Sequence, residues 1–392
     1  MSEPRALAVR NQIPSLAAMT YLDNAGAGLP PLSVTRAMNE FVNDWSQRGE
    51  HWEAWLEDVL ELRKLFAQLI GAKSEEVGVV PSVSSALAAF AASVNYSKRG
   101  KVVTSSLNFP TNAILWQRMR EAGLLRTVDV LPSREGGIPF EAYEKAIDDQ
   151  TAIVSVDYVS WFSGYRERIK EIAEIAHQHG AIMAVDGFHA LGVFPFDVKQ
   201  DGIDIYVNGF YKWMCGPHGV ACIYADSELL PDLKPAYIGW HGIKDNVIER
   251  IQAGRDPFDV PFPTDSATPS ATAARFEWGT WAAVTVKGAI EAVKFAFDTD
   301  VAARYEIIRR RRVQLMEGLR SKGVEILTPS EDVNPGGGIV TFGTKDHKSV
   351  VSELSKEKII VSGRFNHVRV SPHFYNTSEE IDRFLDALKT AR

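Results

Sequence analysis

An aspartate and a lysine lie in two short segments that could do chemistry together. In AIMAVDGFHALG (181–192) an apolar run ends abruptly at Asp186, and in VNGFYKWMCGPHG (207–219) Lys212 lies among aromatic and glycine residues. A lysine in apolar surroundings has a lowered pKa, and its neutral amine can form a Schiff base with an aldehyde. A carboxylate at the end of a buried strand can hold a pyridine nitrogen protonated. The pair therefore predicts a pyridoxal 5'-phosphate site with Lys212 and Asp186 as catalytic residues.

Further residues could bind the ring and the phosphate of this cofactor. His189 is predicted to lie under the ring near its phenolic oxygen, and the alternative is a core histidine satisfied by the backbone. In VVPSVSSALAAF (79–90) a strand is followed by a small-residue helix, so Ser84 and Ser85 could bind phosphate or serve merely as helix caps. Phe109 directly follows a strand and precedes a proline. It is predicted to stack on the ring unless it is a core residue.

Helical and strand patterns alternate over most of the chain, which predicts an α/β fold with a largely parallel sheet. Such strands are short apolar runs because helices cover both faces of the sheet. Open α/β folds bind ligands at the carboxyl ends of their strands, where Asp186 is expected. The predicted strands are 76–80, 101–105, 125–130, 152–157, 181–186, 203–207 and 220–224, and the helices among them are 84–92, 112–121, 140–146 and 169–179.

The composition changes after this alternation. Residues 257–270 are rich in Pro, Asp, Ser and Thr and are predicted to form a long loop. Residues 283–319 are typical of one or two long helices, and the alternation then resumes up to a final helix over 378–391. We therefore predict a large domain over 1–282, with an N-terminal arm, and a smaller C-terminal α+β domain over 283–392.

The bulk composition argues against several classes of protein. The chain has 392 residues and a formal net charge of -7, which disfavours nucleic acid or an anionic membrane as a partner. It has no apolar run of membrane-spanning length, and its first residues lack the pattern of a secretion signal. Its two cysteines, Cys215 and Cys222, do not form a disulfide framework, so a cytoplasmic location is expected. The nine histidines show no metal-ligand spacing, and no metal is expected.

Motifs along the chain resemble those of the class V aminotransferase family of fold type I pyridoxal-phosphate enzymes, which includes cysteine desulfurases, kynureninases and isopenicillin N epimerases. The resemblance implies a mostly parallel seven-stranded sheet in the large domain and a homodimer with shared active sites. The matching stretches cover nearly the whole chain in the family's order: YLDNAGAG (21–28), PSVSS (81–85), NFPTN (108–112), YVSWFSG (158–164), VDGFHALG (185–192), GFYKWMCGPHG (209–219), RFEWGTW (275–281) and VRVSPHFYNTSEEID (368–382).

The resemblance also implies roles for particular residues. Gly279 and Thr280 would reach the cofactor phosphate of the other subunit. Arg369 falls on the arginine that usually holds the α-carboxylate of the substrate, a role that suits a planar guanidinium fork. The alternative is that Arg369 merely pairs with a neighbouring acid. Asn24 and Arg364 are also expected to bind substrate, and Arg364 could close over its side chain.

Several departures from the family pattern make the chain similar to kynureninases. Tyr211 precedes the lysine where many members have histidine, and it is expected to take a phosphate role. Phe109 replaces the ring-stacking histidine of cysteine desulfurases, and Trp161 replaces the asparagine beside the ring oxygen. The stretch IIVSGRFNHVRVS (359–371) lacks the cysteine that forms a persulfide in cysteine desulfurases. No protein persulfide is therefore expected.

Three classes of function stay open. The leading prediction is a lyase-type reaction, similar to that of cysteine desulfurases or kynureninases, on a small L-amino acid through an aldimine on Lys212. An aminotransferase or an isopenicillin N epimerase-like epimerase would share the first step, in which Lys212 is displaced and then acts as the base at Cα. A non-catalytic α/β binding protein is disfavoured because Lys212 and Asp186 occur in register.

Overall fold

The computed structural model describes residues 9–388, apart from 264 and 266, and one large β-sheet organises most of them. The strands, numbered along the chain, are β1 (Thr20–Tyr21), β2 (Val77–Val80), β3 (Lys101–Ser105), β4 (Thr127–Leu131), β5 (Thr151–Asp157), β6 (Ile182–Asp186), β7 (Ile205–Gly209), β8 (Ala221–Ala225), β9 (Val340–Gly343), β10 (Ile359–Ile360), β11 (Ser362–Arg364) and β12 (His367–Val370). The helices are α1 (Leu32–Arg48), α2 (Trp52–Ile70), α3 (Val83–Ala91), α4 (Pro110–Glu121), α5 (Phe140–Ala146), α6 (Ile169–Gln178), α7 (Val247–Gln252), α8 (Ala283–Thr299), α9 (Val301–Ser321), α10 (His347–Lys356) and α11 (Ser378–Ala387).

The large sheet has seven strands in the order β2-β8-β7-β6-β5-β3-β4. The strands from β7 to β4 in this order pair in parallel, whereas β8 runs antiparallel to both of its neighbours. The carboxyl ends of β5, β6 and β7 therefore meet at one edge of the sheet, beside the start of β8. Asp157 and Asp186 are direct neighbours in the register of this edge.

Apolar residues cover both faces of the sheet, which is why its central strands carry so few polar side chains. Strands β2, β5, β7 and β8 are buried along their whole length. One apolar layer includes Leu62 and Phe66 of α2 together with Ile172 of α6. The other layer includes Leu87 of α3 and Trp116 of α4. Helices on both faces leave the strand ends as the place where polar side chains converge.

A second, smaller sheet lies near the C-terminus. It has three antiparallel strands in the order β11-β12-β9, and its core includes Leu315 of α9 and Phe384 of α11. The break between α8 and α9 falls at Asp300, which has a positive φ of 57° and accepts a hydrogen bond from the N–H of Ala302.

The N-terminal segment is attached to this C-terminal part of the chain. Strand β1 pairs in parallel with β10, and Leu22 belongs to the core of the small sheet. Arg10 forms an ion pair of 3.0 Å with Glu380 of α11. Asp23 forms an ion pair of 3.2 Å with Arg369 of β12.

The fold predicted from the sequence, an α/β fold with a mostly parallel seven-stranded sheet, is confirmed. Strand ends differ by one or two residues, as for β7, which runs on to Gly209. The described residues of 257–270 belong to no helix or strand, and the last helix ends at Ala387, so 389–391 of its predicted span lie outside the described residues. The domain boundary at residue 282 stays a prediction. Within the described chain, no helix is both long enough and apolar enough to cross a membrane.

Candidate active site

The carboxyl edge of the large sheet carries a cavity lined by several strand ends. Asp157 and Asp186 end β5 and β6, Gly209 ends β7, and Ala221 begins β8 from the opposite direction. The cavity also brings together most of the residues predicted to bind the cofactor: Ser84, Phe109, Asp186, His189, Tyr211 and Lys212.

Lys212 is buried in this cavity beside a histidine. Its Nζ lies 2.9 Å from Nε2 of His189, and the indole N–H of Trp213 donates to Nδ1 of the same ring over 3.2 Å. With Nδ1 accepting, a neutral ring carries its proton on Nε2, and this N–H can donate to Nζ when the amine of Lys212 is neutral. Burial lowers the pKa of Lys212 to about 8, with Asp186 acting in the opposite direction. Burial and then the charge of Lys212 hold the pKa of His189 well below its usual value. Both shifts favour a neutral imidazole beside a neutral, nucleophilic amine.

Asp186 is a buried carboxyl group in the same cavity. Its Oδ1 accepts a hydrogen bond of 3.0 Å from the N–H of Phe188. Burial raises the pKa of Asp186 to about 6, although the Phe188 N–H and Lys212 act to lower it. A carboxylate that is shielded from solvent is stabilised by a cationic partner. A protonated pyridine nitrogen would be such a partner.

A second buried carboxyl group, which the sequence analysis missed, lies beside Asp186. Asp157 accepts hydrogen bonds from the N–H of Phe109 over 2.7 Å and from the amide of Asn112 over 2.8 Å. Burial and then the charge of Asp186 raise the pKa of Asp157 well above its usual value. Two adjacent buried carboxyl groups disfavour a double negative charge, so the pair favours a single negative charge. The signal in the sequence was an aspartate ending an apolar strand, as at Asp186.

The start of α3 supplies donors for an anion. Ser82 is the N-cap, and its hydroxyl accepts from the N–H of Ser85 over 3.1 Å. The Ser85 hydroxyl accepts the N–H of Ser82 and donates to the Ser82 carbonyl, so this side chain closes a capping box instead of facing the cavity. Ser84, by contrast, is exposed and lines the cavity. A helix N-terminus of this kind binds phosphate through its free N–H groups and its dipole.

Aromatic rings surround the amine and the cavity mouth. The Nζ of Lys212 lies 4.2 Å from the ring centroid of Phe188 and 5.5 Å from that of Phe109. Phe109 in turn packs edge-on against Trp161 at 5.5 Å. Tyr211 stacks on His218 with ring centroids 4.0 Å apart. Phe109 is therefore placed where a flat ring could stack, while Trp161 lies behind it and not in the cavity itself.

The two arginines predicted for the substrate lie next to this aromatic group but differ in their partners. Arg369 is almost fully buried, and its guanidinium donates to Ser362, to the carbonyl of Trp161 and to Asp23, over 3.2, 2.9 and 3.2 Å. Burial, and then the charge of Arg364, lower the pKa of Arg369 to about 10. The guanidinium carbon of Arg364 lies 5.1 Å from the ring centroid of Trp161.

Asn24, Gly279 and Thr280 also lie outside the cavity, as Ser85 and Trp161 do. The amide of Asn24 donates to the carbonyl of Ser371 over 2.8 Å and accepts from the hydroxyl of Tyr375, so a substrate contact by Asn24 would have to replace one of these bonds. Gly279 and Thr280 line a neighbouring cavity, and Val220 contributes to the lining of both cavities. Their contact with a partner's cofactor stays a prediction.

The C-terminal segment that was compared with the persulfide loop is a tight hairpin. Strands β11 and β12 are joined by Phe365 and Asn366 alone. Cys215 and Cys222 are both fully buried and lie elsewhere, beside His373 and in β8 respectively. Burial raises the pKa of the Cys215 thiol to about 12, so this cysteine is an inert thiol and not a thiolate.

The donor set of the cavity fits pyridoxal 5'-phosphate. A buried amine with a lowered pKa, a buried carboxyl group that a cationic partner would stabilise, and a helix start with free donors line one cavity. A ring that could stack, Phe109, lies within the same lining.

The comparisons with known proteins agree with this donor set. A family model described as "Aminotransferase class-V" matches residues 20–384 of the chain. A Bacillus subtilis (strain 168) protein named "Uncharacterized aminotransferase YcbU" is 30% identical over 97% of this chain and 96% of its own length. A "Probable cysteine desulfurase" of Methanothermobacter thermautotrophicus is 27% identical over 97% of this chain and 96% of its own length.

The fold is also similar to that of a solved structure. The apo structure of a cysteine desulfurase from Thermococcus onnurineus NA1 superposes with a TM-score of 0.86 at 24% sequence identity. The superposition covers 99% of this chain and 98% of that one. At this identity the comparison establishes the fold of the chain.

Proposed function

Because the chain belongs to the aminotransferase class V family and is an enzyme that uses pyridoxal 5'-phosphate, we propose that it acts on a small L-amino acid in a lyase-type reaction. The proposal takes its reaction type from the cysteine desulfurase named among the relatives. The name of the Bacillus subtilis relative supports an aminotransferase as the second candidate. A cytoplasmic location and a homodimer with Gly279 and Thr280 at the partner's site remain predictions.

The observation that carries the proposal is the chain of hydrogen bonds from Trp213 through His189 to Lys212, beside Asp186. When bound, the cofactor supplies an electron sink that stabilises negative charge at the substrate Cα. Lys212 would hold the cofactor through Nζ, be displaced by the substrate amine, and then accept the Cα proton at Nζ. Asp186 would hold a proton on the pyridine nitrogen, and His189 would keep Nζ oriented through its Nε2–H. Phe109 would exclude water from one side of the ring.

The experiment is a product analysis of the purified holoenzyme with a panel of L-amino acids. Binding is followed by the change in cofactor absorbance, and products are identified after many turnovers. A lyase releases a group from the β or γ carbon and regenerates the starting cofactor. An aminotransferase releases a keto acid and leaves the amine on the cofactor until a second keto acid is added. If no amino acid changes the absorbance, the proposed function is wrong.

Replacing both cysteines is expected to leave most of the activity. In Cys215→Ser/Cys222→Ser, turnover of L-cysteine should stay within about threefold of the wild-type rate if this substrate is accepted, because buried thiols with raised pKa values are poor nucleophiles. The measurement is the release of sulfide, pyruvate and ammonia, the products of β-elimination from L-cysteine, with cofactor content checked by absorbance. Loss of sulfur turnover with cofactor retained would show that a protein persulfide is needed.

Arg369→Lys is expected to raise the Michaelis constant of the substrate about tenfold or more, because a lysine cannot form the bidentate contact of a guanidinium with the α-carboxylate. The absorbance of the resting enzyme should stay unchanged, since the cofactor is not the partner of Arg369. The melting temperature serves as the control for the loss of the bond to Asp23. An unchanged Michaelis constant here, with the increase in Arg364→Lys instead, would show that Arg364 binds the α-carboxylate.

A further inference from the structure

The hairpin between β11 and β12 presents a strained aromatic tip to the site. Phe365 and Asn366 form its two-residue turn, with positive φ values of 53° and 58°. This geometry is that of a type I′ turn, which favours Asn and Gly, and a bulky aromatic residue is rare in it. The Phe365 ring is 69% exposed, yet it packs edge-on against Trp161 at 6.4 Å and Phe162 at 5.7 Å. Strain retained at an exposed tip indicates a function for the tip.

Arg364, the residue just before this turn, carries a half-buried guanidinium. Within the described part of the chain it forms no side-chain hydrogen bond or ion pair. Its guanidinium carbon lies 5.1 Å from the ring centroid of Trp161, and the charge of Asp23 acts on it at longer range. Arg369 lies on the other strand of the hairpin, and it already donates to Ser362, Trp161 and Asp23. Of the two arginines, Arg364 therefore has the free donors.

Aromatic contacts connect Arg364 to the amine of Lys212. From Lys212 Nζ to the Phe109 centroid is 5.5 Å, and from Phe109 to Trp161 is another 5.5 Å. The guanidinium carbon of Arg364 lies 5.1 Å from the ring centroid of Trp161, and its charge acts to lower the pKa values of both Lys212 and His189. A substrate held at Lys212 could therefore direct its side chain toward Trp161 and Arg364. A planar guanidinium with free donors matches a carboxylate.

We propose that Arg364 and Trp161 form a subsite for a second carboxylate at the end of the substrate side chain, so that the preferred substrates are dicarboxylic amino acids. The inference rests on the proposed function and names its substrate class. Half-burying a cation without a directly paired anion is costly even with the charge of Asp23 nearby, and the second carboxylate would be its direct partner. An amide of the same shape cannot pair with the charge and would bind less well.

The test compares isosteric pairs on the holoenzyme: L-aspartate with L-asparagine, and L-glutamate with L-glutamine. The dissociation constant of each is measured from the change in cofactor absorbance. We expect at least one acid to bind about tenfold or more tightly than its amide. In Arg364→Gln that preference should fall to within about twofold, while the affinity for the amide is retained. Arg364→Lys should restore part of the preference because it keeps the charge.

Arg320→Gln, which removes an exposed arginine at the end of α9, is the matched control and should keep the preference of the wild-type enzyme. Acids and amides that bind equally well to the wild-type enzyme would overturn the subsite and leave the proposed function standing. A preference for the acid that survives in Arg364→Gln would overturn the role of Arg364. An absence of absorbance change with every amino acid would overturn both the subsite and the proposed function.

Discussion

Turnover is expected to disappear in Lys212→Ala while the fold remains. The variant loses both the amine that holds the cofactor and the base that accepts the Cα proton, so we expect a fall of about 10³-fold or more, or about 4 kcal/mol in the activation free energy. The cavity should still bind the cofactor through the start of α3 and Asp186. The side chain is buried but ends in a cavity instead of a packed core, so its truncation should cost little stability.

Covalent trapping distinguishes this role from a structural one. Borohydride reduction of the wild-type holoenzyme should fix the cofactor to the peptide that contains Lys212, and the variant should show no fixed cofactor. Lys170→Ala, which removes an exposed lysine on α6, is the matched control and should be trapped as the wild type is. Recovery of the fixed cofactor on a peptide from another lysine would show that Lys212 is wrongly assigned.

Asp186→Ala is expected to lower turnover by several orders of magnitude while the protein still binds cofactor, though more weakly. Without a buried anion the pyridine nitrogen loses its proton, and the ring no longer accepts the charge that develops at Cα. The measurement is single-turnover kinetics at saturating cofactor, so that weaker binding does not mimic slower chemistry. Dissociation constants for the cofactor are measured separately.

Asp226→Ala provides a matched control for this change. Asp226 also directly follows a strand of the large sheet, β8, but β8 is antiparallel and so ends at the opposite edge from Asp186. Its carboxylate pairs with Lys199 over 2.8 Å. The control is expected to lose some stability and to keep its turnover. Turnover of Asp186→Ala near the wild-type rate would refute the role of Asp186.

The parts of the site that could be predicted from the sequence are those that follow from local pattern. Asp186 ends an apolar run, and Lys212 is a lone charge in an apolar stretch, so each residue type conflicts with its surroundings unless it has a function. The mostly parallel sheet follows from alternation of helix and strand, and its edge brings these two residues together. Asp157 also ends an apolar strand, as Asp186 does. No lysine follows its strand at a similar distance, so the sequence pattern does not single it out.

Other features depend on contacts between residues far apart in the sequence. The capping box depends on the rotamer of the Ser85 side chain, which local sequence does not determine. The pairing of Arg369 with Asp23 joins residues 346 positions apart. The two-residue turn at Phe365 could not be predicted, because phenylalanine is unfavourable at positive φ and its neighbours Trp161 and Phe162 stabilise it only in the folded chain.

The attachment of the N-terminal segment to the C-terminal part has a consequence for synthesis on the ribosome. Strand β1 leaves the ribosome early, yet its partner β10 is synthesised only after most of the chain has emerged. Asp23 likewise cannot form its ion pair until Arg369 has been synthesised. The nascent chain can therefore complete the large sheet and its cofactor pocket first, while Arg369, the arginine proposed to bind the substrate, is fixed only at release. Binding of cofactor and competence to bind substrate would thus arise at separate times in the life of each molecule.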